Sequence, residues 1–183
     1  DLMSAMLASG EADLAVILTD GLIKAAADGL PAVILQEYIA SPLLWGIHVS
    51  ADSVFRTEEE LEGTRAAISR FGSGSHLMAY VNAGRMGWDT DQLQFQVVDT
   101  LEGAVRQLQD GTADYFMWEK FTTQPLVDQG VFRRVGVCPT PWPCFVVVAR
   151  SEFARNEPGV LSDLLEIINV YTSEFKQIPS IDK

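Results

Sequence analysis

Two stretches of this chain carry the same order of apolar and polar residues. Leu7-Ala8-Ser9-Gly10-Glu11-Ala12-Asp13 and Leu108-Gln109-Asp110-Gly111-Thr112-Ala113-Asp114 both follow L-x-x-G-x-A-D, and each runs into an uninterrupted apolar segment, 14–18 and 115–118. Helical spacing up to the Leu, a Gly suited to the left-handed turn that closes a helix, and a short continuous apolar run predict one local unit: helix, tight turn, buried strand. The unit is used twice.

Around the first copy, a helical stretch follows Thr19-Asp20-Gly21 and stops at Asp28-Gly29, with a strand over 31–38 and an extended segment over 43–50. Thr57 and Glu60 fit a capping box, in which Thr57 starts a helix and Glu60 reaches back. A second alternation follows. It reads strand 65–69, the loop Phe71-Gly72-Ser73-Gly74-Ser75, a helix from about His76 to Gly84, strand 93–98, helix 101–109 behind a Thr100 cap, strand 113–118 and helix 122–129. Extended segments 131–137 and 145–149 precede a last helix, which starts at Asn156-Glu157-Pro158 and sets Leu161, Leu164, Leu165, Ile168, Tyr171 and Phe175 on one face.

Such alternation predicts the α/β class: two Rossmann-like lobes with mostly parallel sheets and helices on both faces. Residues 1–50 with 150–183 form lobe one and 51–149 form lobe two, joined by two crossing segments near Ser50 and Ala149. Open sheets of this kind take ligands at the carboxyl ends of their strands, so two facing lobes predict a cleft for a small molecule.

Composition removes several classes of function. The 183 residues are 48% hydrophobic and 21% charged, the balance of a folded protein with a real core. Thirteen Lys and Arg against 25 Asp and Glu leave a formal net charge of −12, which repels phosphate backbones and argues against nucleic acid as a direct ligand. No apolar run approaches the roughly 20 residues of a membrane-spanning helix, so direct membrane insertion is not expected. Cys138 and Cys144 flank Pro139-Thr140-Pro141-Trp142-Pro143 without a C-x-x-C pattern; a single bridge between them stays open.

The loop from Phe71 to His76 follows a predicted strand and opens a helix. Its N–H groups and the Ser73 and Ser75 hydroxyls can receive an anion or a polar ligand edge, while a flexible turn with a serine cap accounts for the same residues. Leu77 stands where a dinucleotide fingerprint needs Gly, and the Gly-Lys-Ser/Thr ending of a P-loop is missing. His76 falls in the first helical turn, where the dipole disfavours its charged form. Trp118 and Glu119 end the second buried strand with the means to stack on a flat ring and to pair with a cation; an aromatic core residue beside a surface ion pair is the alternative. Thr19 and Asp20 hold the corresponding place in lobe one. Two separated His, no H-E-x-x-H and no paired Cys predict neither a metal nor a cofactor, and without a G-x-S-x-G elbow no catalytic residue is assigned.

Three segments taken together, SRFGSGSHLMAY at 69–80, ADYFMWEKFTTQPLVDQG at 113–130 and PTPWPC at 139–144, resemble the type II periplasmic-binding-protein superfamily. Within it they are similar to the branch of nitrate, sulfonate and taurine binding proteins and of thiamine-pyrimidine synthases, and in particular to substrate-binding components that include fungal cytosolic members. The likeness runs from about Leu7 to Ala149. It implies two lobes that close on a small organic ligand, an ABC-type permease as partner, and no chemistry of the chain's own. Thr19, Asp20, Ser73, Gly74, Ser75, His76, Trp118 and Glu119 are the ligand contacts it implies. A first strand and its ligand-facing loop would precede Asp1, leaving lobe one truncated at its N-terminus. The implied compartment is periplasmic or extracellular for a bacterial member and cytoplasmic for a fungal one. The rival is an enzyme like the thiamine-pyrimidine synthases, in which His48 or His76 would donate ring atoms and iron would take part; their Cys-rich iron-binding stretch has no counterpart here. A third class, the effector-sensing lobes of a transcription regulator, requires a DNA-binding segment as well.

Overall fold

The computed structural model of the chain describes residues 2–175. Its elements in chain order are α1 (Leu2–Ser9), β1 (Leu14–Leu18), α2 (Thr19–Ala27), β2 (Ala32–Ile39), β3 (Leu44–Ser50), β4 (Arg65–Ile68), α3 (Gly74–Met86), β5 (Gln94–Val97), α4 (Leu101–Gln109), β6 (Tyr115–Glu119), α5 (Gln124–Asp128), β7 (Phe132–Pro139), β8 (Phe145–Arg150), α6 (Ser151–Asn156) and α7 (Pro158–Phe175). The chain divides into two compact units, Asp1–Tyr38 with Phe145–Lys183 and Ile39–Cys144.

The repeated sequence unit builds the same local structure in both. Gly10 and Gly111 each close a helix at φ 76°, a left-handed conformation that a side chain would strain. The strand follows at once, and the motif's Asp is clasped by an arginine on a neighbouring strand. In the first unit Arg150 Nη2 donates to Asp13 Oδ1 at 2.6 Å. In the second, Arg65 donates to Asp114 from Nε and Nη2, both at 2.9 Å, and to the Gly111 carbonyl at 2.7 Å.

The first unit holds a three-stranded sheet in the order β1-β8-β2, with β1 antiparallel to β8, Leu14 opposite Ala149 and Leu18 opposite Phe145. Leu7, Ile17, Leu22, Val146 and Val148 form its core. The periodicity of α7 predicts six residues on one buried face, and the structure follows it only in part. Leu161 is buried and Leu164, Leu165 and Ile168 are half-buried, whereas Tyr171 and Phe175 are exposed. A hydrophobic period records what a helix can bury, not how far its partner surface extends.

The second unit holds a five-stranded mixed sheet in the order β5-β4-β6-β3-β7. Strands β5, β4 and β6 run parallel, as the alternation of strands and helices predicts, but β3 is antiparallel to both β6 and β7. Period-2 alternation sorts the side chains. Ala66, Tyr115 and Met117 join Met78, Ala79 and Ala83 of α3 in one cluster, and Ala67 and Phe116 join Ala104 and Leu108 of α4 in another.

These pairings correct the lobe boundaries expected at Ser50 and Ala149. The sequence pattern places residues 43–50 in lobe one, yet β3 lies inside the second unit's sheet with six of its seven residues buried. It places residues 145–149 in lobe two, yet β8 pairs with β1 in the first unit. An apolar run announces a strand, while its sheet is decided by partners remote in sequence. Smaller differences are local. The turn after Thr57 is a single 3-10 turn, Glu59–Leu61, although Glu60 does reach back to the Thr57 N–H at 3.2 Å. Helix α3 passes Gly84 and stops at Gly87, φ 74°.

Candidate functional site

Strands β4 and β6 are parallel neighbours, with Ala67 opposite Phe116, so the loop after β4 and the turn after β6 leave the sheet at the same edge. The loop carries Ser73, Gly74, Ser75 and His76; the turn carries Trp118 and Glu119 at its start. Those six expected site residues therefore share one end of one unit.

Hydrogen bonds inside the loop occupy its serines. Ser73 caps α3 by accepting from the His76 N–H at 3.3 Å. The Ser75 hydroxyl, buried at 1% exposure, accepts from the Ser69 N–H at 3.0 Å and lies 3.1 Å from the Ser73 hydroxyl. Gly74 opens the helix, whose first N–H groups have no helical acceptor. His76 accepts at Nδ1 from the Gly72 N–H at 3.1 Å, and its ring meets Phe71, Tyr80 and Phe95 edge-on at centroid distances of 5.3, 5.3 and 4.7 Å. Burial holds its pKa below the usual histidine value. These bonds shape the loop and leave backbone donors and aromatic faces as its outward chemistry.

Trp118 is half-buried, stacked on Phe116 at 5.2 Å and edge-on to Trp45 at 6.2 Å. The Glu119 carboxylate turns back on its own chain, accepting from the N–H groups of Phe121 at 2.8 Å and Thr122 at 2.7 Å and from the Thr122 hydroxyl at 2.8 Å. Burial alone would raise its pKa, but these hydrogen bonds, with Arg134 nearby, hold it below the usual range. It is a shaped, ionised turn anchor.

Below that turn sits a buried polar hub. His48 of β3 is fully buried, with Nδ1 3.3 Å from the Phe116 carbonyl and Nε2 2.9 Å from the Thr123 hydroxyl. Arg134 of β7 donates from Nε to His48 Nε2 at 3.3 Å, from Nη1 to Gln124 at 2.8 Å and from Nη2 to the Lys120 carbonyl at 2.9 Å. Burial first and Arg134 second lower the His48 pKa to about 4. Sequence reading treats His48 as structural and passes over Arg134 and Thr123. Nothing local in the sequence marks a contact 86 residues apart.

Asp99 is a further residue at this edge that the sequence reading did not single out. It lies two residues past Val97, the last residue of β5 paired with β4, and is the one non-glycine with positive φ among the described residues, at 58°. Its N–H donates to the Ser69 carbonyl at 3.2 Å, stitching the ends of β4 and β5 together.

Thr19 and Asp20 belong to the other unit, where they begin α2 directly after β1. An open cavity of about 720 Å³ runs along α7, past Leu165, Glu166, Asn169 and Val170, and touches none of the eight expected site residues. Among the described residues, no three His, Cys, Asp or Glu side chains are grouped to hold a metal, and no helix is long and apolar enough to cross a membrane.

The Candida albicans CA3427 gene product, described as exhibiting the generic periplasmic binding protein structural fold, superposes with a TM-score of 0.77 at 26% identity, covering 96% of this chain and 58% of its own. The aliphatic sulphonate binding protein SsuA of Escherichia coli gives 0.72 at 20% identity, over 96% of this chain and 62% of that one. The alkanesulfonate-binding SsuA of Xanthomonas axonopodis pv. citri, solved bound to MOPS, gives 0.72 at 17%, over 91% and 57%. The chain thus has the periplasmic binding protein fold and spans roughly three-fifths of the length of these structures. Residues 45–138, just over half of the chain, match the Ca3427-like PBP family, and the chain belongs to that family. No curated protein matches the sequence.

Proposed function

We propose that this chain is the binding portion of a solute-binding protein that captures a small organic molecule without transforming it. The observation that carries the reading is the edge shared by the β4 loop and the β6 turn: helix-start N–H groups of α3 stand at the end of the same sheet as Trp118. Backbone donors at a helix start suit an anionic or polar group, and an aromatic face suits a flat or apolar one. In this reading Ser73, Ser75 and Glu119 set the shape of the two segments, and the N–H groups of Gly74 and its neighbours, with His76 and Trp118, meet the ligand. Thr19 and Asp20 enter as the contacts that the family resemblance implies for the first unit. An ABC-type permease is the partner in the same proposal, with the compartment following the source: periplasmic or extracellular for a bacterial member, cytoplasmic for a fungal one.

A thermal-shift screen of alkanesulfonates, nitrate, thiamine precursors and small heterocycles tests it. A true ligand at a hundredfold excess over Kd stabilises the fold by about 2.7 kcal/mol and is recovered unchanged. Absence of any shift in the screen counts against the reading. A protein lighter by one histidine's atoms, with a new pyrimidine in solution, would move it to the synthase class.

A further inference from the structure

We propose that His48 and Arg134 form a proton-sensitive latch: with a neutral His48 ring the pair holds the segment from Glu119 to Gln124 against the sheet, and protonation of the ring releases it. The hydrogen-bond roles leave a single neutral arrangement. A guanidinium only donates, so His48 Nε2 must accept from Arg134 Nε, and the ring proton therefore sits on Nδ1, facing the Phe116 carbonyl. A second ring proton would place an N–H at Nε2 against the Arg134 N–H, with two positive charges side by side in a buried site. The new N–H can turn only to the Thr123 hydroxyl, 2.9 Å away, and Arg134 Nε then loses its acceptor on the ring.

What the latch holds is the turn itself. Arg134 reaches it at the Lys120 carbonyl and the Gln124 side chain. The Thr123 hydroxyl, fully buried, touches His48 Nε2 and also lies 3.2 Å from the Glu119 and Lys120 carbonyls. The irregularity in β3–β7 register between Ile47 and His48 puts His48 opposite Arg134. Space for the ring comes from Gly46, where a Cβ would stand 2.4 Å from His48 Cε1 and 2.6 Å from Nε2. The other groups facing the ring carry no compensating charge. From β6 comes the Phe116 carbonyl and from β7 the Phe132 ring at 5.5 Å, while α4 contributes apolar Ala104 and Leu108 to the cluster around them. Glu119 interacts with Arg134, not with the ring. The backbone carbonyls of Phe116 and Gly46 favour a charged ring, but burial and the Arg134 charge outweigh them. That this turn borders a ligand rests on the proposed function; the latch does not.

Amide hydrogen exchange of residues 119–124 at pH 7.5 and 5.0, corrected for the intrinsic pH dependence of exchange, tests the latch on the ligand-free chain. A ring that titrates near its free value once the turn is open, and far lower while it is closed, makes opening roughly 30-fold more frequent at the lower pH. His48→Gln should abolish that pH dependence. Equal protection at both pH values in the natural chain, or the same loss in His48→Gln, overturns the proposal. Should the variant not fold, an NMR titration of the natural chain decides: the His48 ring and the amides of Thr122 and Thr123 must share one midpoint, and separate midpoints overturn it. No ligand enters either measurement, so failure here leaves the binding reading standing, and an empty ligand screen leaves the latch standing.

Discussion

The two L-x-x-G-x-A-D copies make the same helix, the same left-handed glycine turn and the same strand, yet they dock in opposite ways. In the second unit Asp114 is clasped by Arg65, the first residue of a parallel neighbour; in the first unit Asp13 is clasped by Arg150, the last residue of an antiparallel one. Either strand direction brings an arginine to the start of the motif's strand. The local unit is thus portable, and its surroundings differ most in burial. Strand β6 lies inside a five-stranded sheet, whereas β1 is at the edge of a three-stranded one. Met117 and Val16, equivalent positions in the two copies, are 1% and 38% exposed.

That contrast gives the largest expected difference. Met117→Ala should cost about 3 kcal/mol of unfolding free energy and Val16→Ala less than about 1, read from urea melts. Equal losses would mean that the motif, not its sheet, sets the energetics.

Acid should also separate the units, because both histidines lie in the second. The folded pKa of His48 is depressed to about 4 from 6.5, so the unfolded chain takes up the proton first as pH falls. Stability from the neutral ring is complete above pH 6.5 and is lost on descending toward 4, by up to about 3 kcal/mol. Melts of the second unit that are flat across this window would remove the buried hub from the account.

A smaller and equal effect is expected at the shared turn. Gly10→Ala and Gly111→Ala should each destabilise by about 1–2 kcal/mol, since both sit at φ 76° and a Cβ meets nothing closer than 3.6 Å at the first and nothing within 4 Å at the second. Unequal values in the two variants would show that the turns are not equivalent.

Much of the local structure was legible. The strand over 14–18 and the helix 101–109 behind its Thr100 cap coincide with β1 and α4, because strand runs and caps depend on neighbours a few residues away. The helix α6 has no sequence signature, with no side-chain cap and only six residues of pattern. At the candidate site, the sequence brought forward the glycine-serine loop and the Trp118-Glu119 pair as segments. It did not disclose that the serine hydroxyls bond to one another and to the loop, nor that Glu119 is bound by its own turn.

By itself the sequence determined the elements, the twofold use of one helix-turn-strand unit and the α/β class, since each follows from periodicity, caps and glycine turns that act within a few residues. Only the tertiary structure decided that β3 joins the second sheet antiparallel, that β8 returns to the first, and that His48 meets Arg134. Those outcomes rest on hydrogen bonds and burial between residues far apart in the chain, for which no local pattern exists.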